Sequence, residues 1–366
     1  MRNVGDGLRA WGAGIHPRRV HYGWLALTLA IGVVGAMLFL WARLPLPWML
    51  GPMILAMVLA LGGAPVVIPN ALRSPMLIVL GVLIGSTTTP ELIAHVPEWS
   101  VSLLGLLGVI IVGTALCYFY FRRLAGYDRP TAYFASIPGG LTEMILLSEA
   151  NEGDSRFVAL SHAVRVSIVV LTVPFVVQLM SGMVLGACPP SGMPFSATPI
   201  PDLLWFAATC IVAALLAGQV RSATALFLVP LLVSTLLHAS GLAPFAVPRE
   251  MGIAAQLVIG LSLGCRFRGM QLRRVGTGML WATGASIILI GVALLFAFLL
   301  EQVTGQNRLA LLLAYSPGGV AEMSLVALAA HLEVAFVVLN HLTRLAFVTL
   351  AARAVFALAI KAKPSP

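Results

Sequence analysis

An internal duplication constrains this chain more than any other feature of its sequence. Two segments recur with little change: 138–144 (PGGLTEM) as 317–323 (PGGVAEM), and 157–165 (FVALSHAVR) as 336–344 (FVVLNHLTR). Each residue of the first copy stands 179 positions before its counterpart, as Glu143 does before Glu322. A constant offset over such a distance indicates two homologous halves, so the same set of structural elements is expected twice.

Composition places the duplicated unit in a membrane. Hydrophobic residues make up 60% of the chain and charged residues 10%, and the mean hydropathy is +0.99. Soluble domains contain about 25% charged residues, so we expect a polytopic membrane protein. The formal net charge of +9 does not indicate nucleic-acid binding, because the arginines lie mainly in short segments between apolar runs, as topology signals do.

Apolar runs define the expected domain organisation. They lie near 22–41, 46–63, 75–89, 100–121, 130–148 and 157–186, and again near 202–219, 223–241, 250–265, 276–300, 307–330 and 334–360. The predicted domains are a cytoplasmic N-terminal segment (1–21), membrane repeat 1 (22–186), a Pro-rich linker (187–201), membrane repeat 2 (202–360) and a C-terminal tail (361–366).

The distribution of arginine predicts that the halves are inverted. The segment 86–100 contains no Lys or Arg, whereas its counterpart 265–275 contains four arginines; the bias reverses after the next run, with Arg122, Arg123 and Arg129 in the first half against Arg308 alone in the second. Short basic loops tend to be cytoplasmic, so equivalent loops face opposite sides. Inversion requires an odd number of crossings, here about five in each half, with both termini cytoplasmic. A parallel duplication is the alternative.

The fifth apolar run of each half is predicted to be a broken or re-entrant helix. Proline removes a backbone donor and paired glycines permit left-handed backbone conformations. The predicted breaks are Pro138, Gly139, Gly140, Pro317, Gly318 and Gly319. A simple kink or close helix packing would use the same residues, but two copies, each just before a glutamate, favour a discontinuous helix.

Three repeated pairs of ionisable residues are the candidates for substrate or proton binding. They are Glu143, Glu322, His162, His341, Arg165 and Arg344. Carboxylates inside a bilayer are costly and usually functional, and histidine titrates near neutrality. Each arginine follows its histidine by three residues, which places the pair on one helix face. Capping by glutamate, snorkelling by arginine, and mutual neutralisation of arginine and glutamate are the structural alternatives.

The paired motifs resemble those of the duplicated AbrB-type bacterial membrane proteins, and the segment 46–52 (LPWMLGP) is similar to the same family's pattern. The resemblance covers about residues 20–360. Members have been labelled regulators of a DNA-alkylation-response gene or ammonia monooxygenases. The family in turn resembles cation–proton antiporters and anion transporters, which use inverted repeats and broken helices. The resemblance thus implies a bacterial inner-membrane protein with such a fold.

We therefore expect a secondary transporter rather than an enzyme, proton-coupled and with a small organic or anionic substrate. The alternatives are a membrane regulator that affects gene expression indirectly and a metal-dependent membrane oxidase, in keeping with the monooxygenase label. No cofactor or metal is expected, and the scattered cysteines form no C-x-x-C pair. The expected partners are the lipid bilayer and a small molecule or ion, with no nucleic acid; a homo-oligomer is left open.

Overall fold

The computed structural model describes residues 22–89, 96–185, 192–220, 224–269 and 272–361. Within these ranges the chain forms fourteen α-helices and no strands. The first half contains α1 (Tyr22–Trp41), α2 (Pro47–Leu61), α3 (Asn70–Gly85), α4 (Ser100–Phe119), α5 (Arg129–Ser136), α6 (Leu141–Ala150) and α7 (Ser155–Ser181). The second contains α8 (Ile200–Gln219), α9 (Ala225–Ala239), α10 (Arg249–Gly264), α11 (Leu272–Thr304), α12 (Arg308–Tyr315), α13 (Val320–Ala329) and α14 (Val334–Val355).

Length and hydropathy identify the fold class. Seven of the described helices, with α10 counted together with the short turn that continues it to Phe267, are at least 18 residues long and apolar enough to cross a bilayer, which needs about 20 residues. Large apolar side chains cover their outer surfaces; Leu179 and Leu350 are more than 80% exposed in the isolated chain. The prediction of an all-α, multi-pass membrane protein is confirmed. The predictions for residues 1–21, 187–191 and 362–366 lie outside the described residues.

The helix boundaries repeat as the sequence motifs do. Six of the seven helices in the second half begin 178 or 179 residues after their counterparts, and the exception is the longer α11. The core is continuous across the halves: Trp99, just before α4, packs edge-on against Phe336 of α14 with ring centroids 5.4 Å apart. The repeats therefore share one hydrophobic core.

Glycines bring helices of the two halves into backbone contact. A Cβ atom added to Gly85 of α3 would lie 2.5 Å from the carbonyl oxygen of Leu231 in α9, and one added to Gly264 of α10 would lie 2.4 Å from that of Met53 in α2. Gly81 and Gly260 make the same kind of contact one turn earlier. Small residues permit this close approach in membranes, so α3 packs on α9 as α10 packs on α2.

The counterparts α4 and α11 pack antiparallel. Going forward along α4, Gly105 faces Leu300, Gly108 faces Phe296 and Gly113 faces Leu289, so contacts move backward along α11. These two equivalent helices thus run in opposite directions. This packing supports the predicted inversion of the repeats; the inversion itself and the number of crossings stay predictions.

Candidate functional site

Each Pro-Gly-Gly segment lies between two short helices. Residues 137–140 separate α5 from α6, and residues 316–319 separate α12 from α13. The backbone there is extended, with ψ of 129° at Gly140 and 147° at Gly319. Because proline lacks the amide hydrogen that a continuing helix uses, each break follows from the sequence.

The outer ends of α5 and α6 meet, so the two helices form a hairpin with the Pro-Gly-Gly segment at its tip. The backbone N–H of Asp154, just after α6, donates to Thr131 Oγ1 near the start of α5 at 2.7 Å. Gly153 lies against the same turn: a Cβ atom added to it would be 3.2 Å from Pro130 Cβ. The eight residues of α5 rise about 12 Å, so the Pro-Gly-Gly tip lies about that far from the point where the outer ends meet.

The second hairpin is built in the same way. α12 and α13 pack on each other, and each incoming helix has a side-chain cap at its start. Asp128 Oδ2 accepts from the N–H of Thr131 at 3.0 Å, and Asn307 Oδ1 accepts from the N–H of Leu309 at 2.8 Å. Caps of this kind satisfy backbone donors that the first helical turn leaves open.

The two repeated arginines bind the carbonyl groups that the breaks release. Arg165 Nη1 donates to the carbonyl oxygen of Ile137 at 3.1 Å. Arg344 donates from Nη1 to Ser316 at 2.6 Å and from Nη2 to Gly318 at 2.9 Å. Both side chains are buried. The last carbonyl groups of a helix lack intrahelical partners and find none in lipid, so the guanidinium groups stabilise the tips.

The two repeated histidines are buried but have different hydrogen bonds. His162 Nδ1 accepts from Arg165 Nη2 at 3.1 Å, because an arginine can only donate. His162 Nε2 therefore carries the proton and donates to the carbonyl oxygen of Phe134 at 3.0 Å. In His341 the Nδ1–H donates instead to the carbonyl oxygen of Val337 at 2.9 Å, and Nε2 is a buried acceptor without a partner.

The repeated glutamates lie at the hairpin tips, in the first turn of α6 and α13. Each carboxylate folds back over the glycine that precedes its helix: Oε2 of Glu143 would be 3.7 Å from a Cβ atom on Gly140, and Oε2 of Glu322 closer still to one on Gly319. Glu143 Oε2 also accepts from Thr349 Oγ1 at 2.9 Å. Both carboxylates are partly accessible, and each lies at the positive end of a helix dipole.

Each tip touches the long helix of the other half. A Cβ atom added to Gly139 would lie 2.8 Å from Val348 of α14, and one added to Gly318 would lie 3.1 Å from Val169 of α7. The guanidinium group of Arg344 experiences the positive charge of Arg165. The two breaks are thus brought together around α7 and α14, as a site shared by both halves requires.

Mutual neutralisation of arginine and glutamate, one of the structural alternatives, stays a prediction, and the hydrogen bonds of the described residues give the two arginines other partners. Arg165 and Arg344 donate to backbone carbonyls and, in the first half, to His162. The carboxylates have other neighbours, Thr349 for Glu143 and the charge of Arg266 for Glu322. The freed carbonyl groups require a donor, and the guanidinium groups supply it. A close approach of the two carboxylates stays a prediction.

Two residues of the site were missed by sequence reasoning. Thr349 faces Glu143, but its counterpart Val170 has no hydroxyl, so comparison of the repeats gives no signal. Asn340 precedes His341 and is fully buried; its Nδ2 donates to the carbonyl oxygen of Phe336 at 2.9 Å, while its Oδ1 has no partner. A polar residue precedes each histidine, Ser161 before His162 and Asn340 before His341. This repetition was a signal that could have identified Asn340.

A cavity of about 780 Å³ opens between α4 and α14 and reaches the first tip. Arg122, Arg123 and Arg129 line its outer end, where α4 leads into α5, and Ile137 and Val348 line its inner end. Apart from Thr114, Tyr118 and Tyr133 the remaining lining is apolar. The equivalent pair in the other half, α11 and α7, packs more extensively than α4 and α14. The two halves therefore differ in how tightly these helices close.

Comparison with known proteins places the chain in a family. The family model described as "Transition state regulatory protein AbrB" matches residues 48–359. A protein of Escherichia coli (strain K12) named "Putative regulator AbrB" is 24% identical over 88% of this chain and 90% of its own length. "Uncharacterized protein YhjN" of Bacillus subtilis (strain 168) is 24% identical over 74% of each chain. This chain belongs to the AbrB family of membrane proteins.

Proposed function

We propose that this protein is a secondary transporter of the bacterial inner membrane, with inverted repeats and both termini cytoplasmic. The observation that carries the proposal is the pair of hairpins, each with a carboxylate at its tip and a buried arginine bound to its freed carbonyl groups. Transporters of this kind bind substrate and ions where discontinuous helices meet near the bilayer midplane. Irregular backbone at that depth is otherwise costly.

Helix directions support the inversion that this mechanism needs. The counterparts α4 and α11 run antiparallel, and α3 of one half packs parallel to α9 of the other, with Gly81 against Phe227 and Gly85 against Leu231. An even number of crossings per half would make equivalent helices parallel. One re-entrant hairpin and five crossings in each half fit the antiparallel pair.

The residues at the tips divide into two roles in this proposal. Glu143 and Glu322, partly accessible and at helix N-termini, are the groups that bind and release protons or respond to the substrate's charge. Arg165 and Arg344 are positioning residues, because their hydrogen bonds hold the carbonyl groups of the breaks. His162 fixes the orientation of Arg165. The Nε2 of His341, which has no hydrogen-bond partner among the described residues, is an acceptor available to a donor on the substrate.

Unequal packing of the two halves supports alternating access. α11 lies close along α7, whereas the cavity separates α4 from α14. In a protein with inverted repeats, exchanging these two arrangements would close one side of the site and open the other. The first hairpin tip touches α14 and the second touches α7. The exchange would therefore act directly on both tips.

The test is proton-coupled transport in proteoliposomes. Candidate organic anions are offered with and without an imposed pH gradient, and lumenal pH and solute uptake are recorded. We expect Glu143→Gln and Glu322→Gln each to reduce coupled flux at least tenfold. Glu149→Gln, on the exposed side of α6, is the matched control and should retain flux. Unchanged flux in both tip variants would refute the carboxylate role.

The regulator alternative is favoured by the name of the Escherichia coli relative alone. Its test is gene expression in cells carrying Glu143→Gln: an effect that follows from transport is lost with the flux, and one through a partner protein is not. For the oxidase alternative, no group of three or more His, Cys, Asp or Glu residues suited to a metal occurs in the described part of the chain. No observation there favours it.

A further inference from the structure

We propose that the cleft between α4 and α14 binds an anionic phospholipid, with the headgroup phosphate at Arg122 and Arg123 and an acyl chain along the apolar walls. The cavity volume of about 780 Å³ lies within the range of about 300–1,000 Å³ found for small-molecule sites. Basic pockets between transmembrane helices bind anionic headgroups in other membrane proteins. The inference stands independently of the proposed transport.

The charge at the mouth of the cleft is peculiar to the first half. Across the duplication, Arg122 corresponds to Glu301 and Arg123 to Gln302, while Arg129 corresponds to Arg308. In the second half Arg308 Nε donates to Glu301 Oε2 at 2.6 Å, so positive charge is neutralised within the protein. In the first half Arg122 and Arg123 line the same position, and no acidic residue is among the described residues that line the cleft. An external anion would complement that charge.

The acidic residue nearest in sequence to these arginines, Asp128, serves as a helix cap. Asp128 Oδ2 accepts from the N–H of Thr131 and caps α5. Arg122 Nη1 donates to the carbonyl oxygen of Tyr127 at 2.7 Å, which holds the guanidinium group at the end of α4. A guanidinium group has five N–H donors, so this bond leaves others to be directed at a phosphate.

The position of the cleft selects a lipid over a soluble anion. Its walls include Ile111, Phe119 and Val355, which are 61%, 57% and 45% exposed on the outer surface of the isolated chain. Apolar side chains exposed on spanning helices face acyl chains, so the cleft opens sideways into the bilayer. A small hydrophilic anion would gain nothing from such walls, whereas an amphiphile matches both the apolar walls and the basic end.

The bound lipid would contact the first hairpin. Tyr133 of α5 lines the cleft and its hydroxyl donates to the carbonyl oxygen of Ala352 in α14 at 3.0 Å. Ile137, which accepts from Arg165, forms part of the inner wall. An acyl chain there would keep α4 and α14 apart, so anionic lipid is expected to favour the arrangement described here.

The experiment is native mass spectrometry of the purified full chain, titrated with phosphatidylglycerol, with phosphatidylcholine, and with glycerol phosphate as the soluble source of the same anion. Phosphatidylglycerol should bind at least tenfold more tightly than phosphatidylcholine, and glycerol phosphate should not compete. Two variants should weaken phosphatidylglycerol about ten- to thirtyfold: Arg122→Gln with Arg123→Gln, and Ala351→Phe, which fills the cleft without changing charge. Arg123→Gln alone leaves the Arg122–Tyr127 bond intact and should weaken binding several-fold.

Arg353→Gln is the matched control, because Arg353 is exposed on the same helix α14 but does not line the cleft. It should leave binding unchanged. Equal affinity for the two phospholipids would overturn the proposal, and so would equal losses in Arg353→Gln and Arg123→Gln. Competition by glycerol phosphate at the lipid's own affinity would assign the site to a soluble anion instead.

Discussion

Thr349 Oγ1 donates a hydrogen bond of 2.9 Å to Glu143 Oε2 and so joins the first hairpin tip to α14 of the other half. The counterpart of Thr349 is Val170, which has no hydroxyl. Glu322 therefore lacks this bond and lies within the electrostatic influence of Arg266 instead. The two tips match in sequence but not in surroundings, so the two carboxylates are expected to act unequally.

A double-mutant cycle measures this contact. Thr349→Val, Glu143→Ala and the double variant are compared by thermal unfolding in detergent, and we expect a coupling free energy of about 1 kcal/mol, the usual net contribution of a hydrogen bond. Thr172→Val is the control, because Thr172 on α7 donates to its own helix; combined with Glu143→Ala it should be additive. A coupling near zero for Thr349 would show that the bond does not form.

Removing the arginine at the second tip should destabilise the protein strongly. Arg344→Leu takes away both donors to Ser316 and Gly318 and leaves two buried carbonyl groups unsatisfied, so we expect a loss of about 3 kcal/mol or more in the free energy of unfolding. Arg353→Leu, at an exposed position of the same helix, should change it by less than about 0.5 kcal/mol. Equal stability of the two variants would mean that Arg344 does not support the break.

Backbone contact between the halves can be tested at a helical glycine. Gly85→Leu would place a Cβ atom 2.5 Å from the carbonyl oxygen of Leu231, which forces α3 and α9 apart and should cost about 1–3 kcal/mol of stability. Gly291→Leu in α11 is the matched control, since nothing lies within 4 Å of its Cβ position. The measurement is the unfolding temperature in detergent. If both glycines tolerate leucine equally, the close packing is wrong.

Equivalent positions should be reached from opposite sides of the membrane. Arg123 and Gln302 are counterparts and both are exposed at helix ends. Cysteine is introduced at each position singly in a background without native cysteine, and a membrane-impermeant maleimide is applied to right-side-out and inside-out vesicles. Arg123→Cys should react in one preparation and Gln302→Cys in the other. Labelling of both in the same preparation would favour the parallel duplication.

The sequence was sufficient for the repeat and for the position of each break. The prolines and glycines determine where helices stop because they act through the local backbone, and local effects can be read from a sequence. The run at 130–148 was predicted as one interrupted element, and two helices with a hairpin tip lie there. The hydrogen bond from Asp154 to Thr131, which closes the hairpin, joins residues 23 positions apart, and the sequence pattern gives no sign of it.

What the ionisable residues bind could not be predicted in the same way. The spacing of His162 and Arg165 places both on one helix face, as observed. They bind the carbonyl groups of Phe134 and Ile137. Every residue has a backbone carbonyl group, and these two need a side-chain donor only because the helix breaks. Sequence reasoning therefore offered the glutamates as partners of the arginines, whereas in the structure both arginines donate hydrogen bonds to backbone carbonyl groups.

The glycine contacts of α3 with α9 and of α10 with α2 have a consequence for biosynthesis. Gly81 and Gly85 lie against a helix that begins at Ala225, so the ribosome has yet to make that partner when α3 enters the membrane. During synthesis the first half must remain with an open glycine face until about a hundred and fifty further residues have followed. For the same reason, a single repeat made alone would have to find a second copy of itself in the opposite orientation.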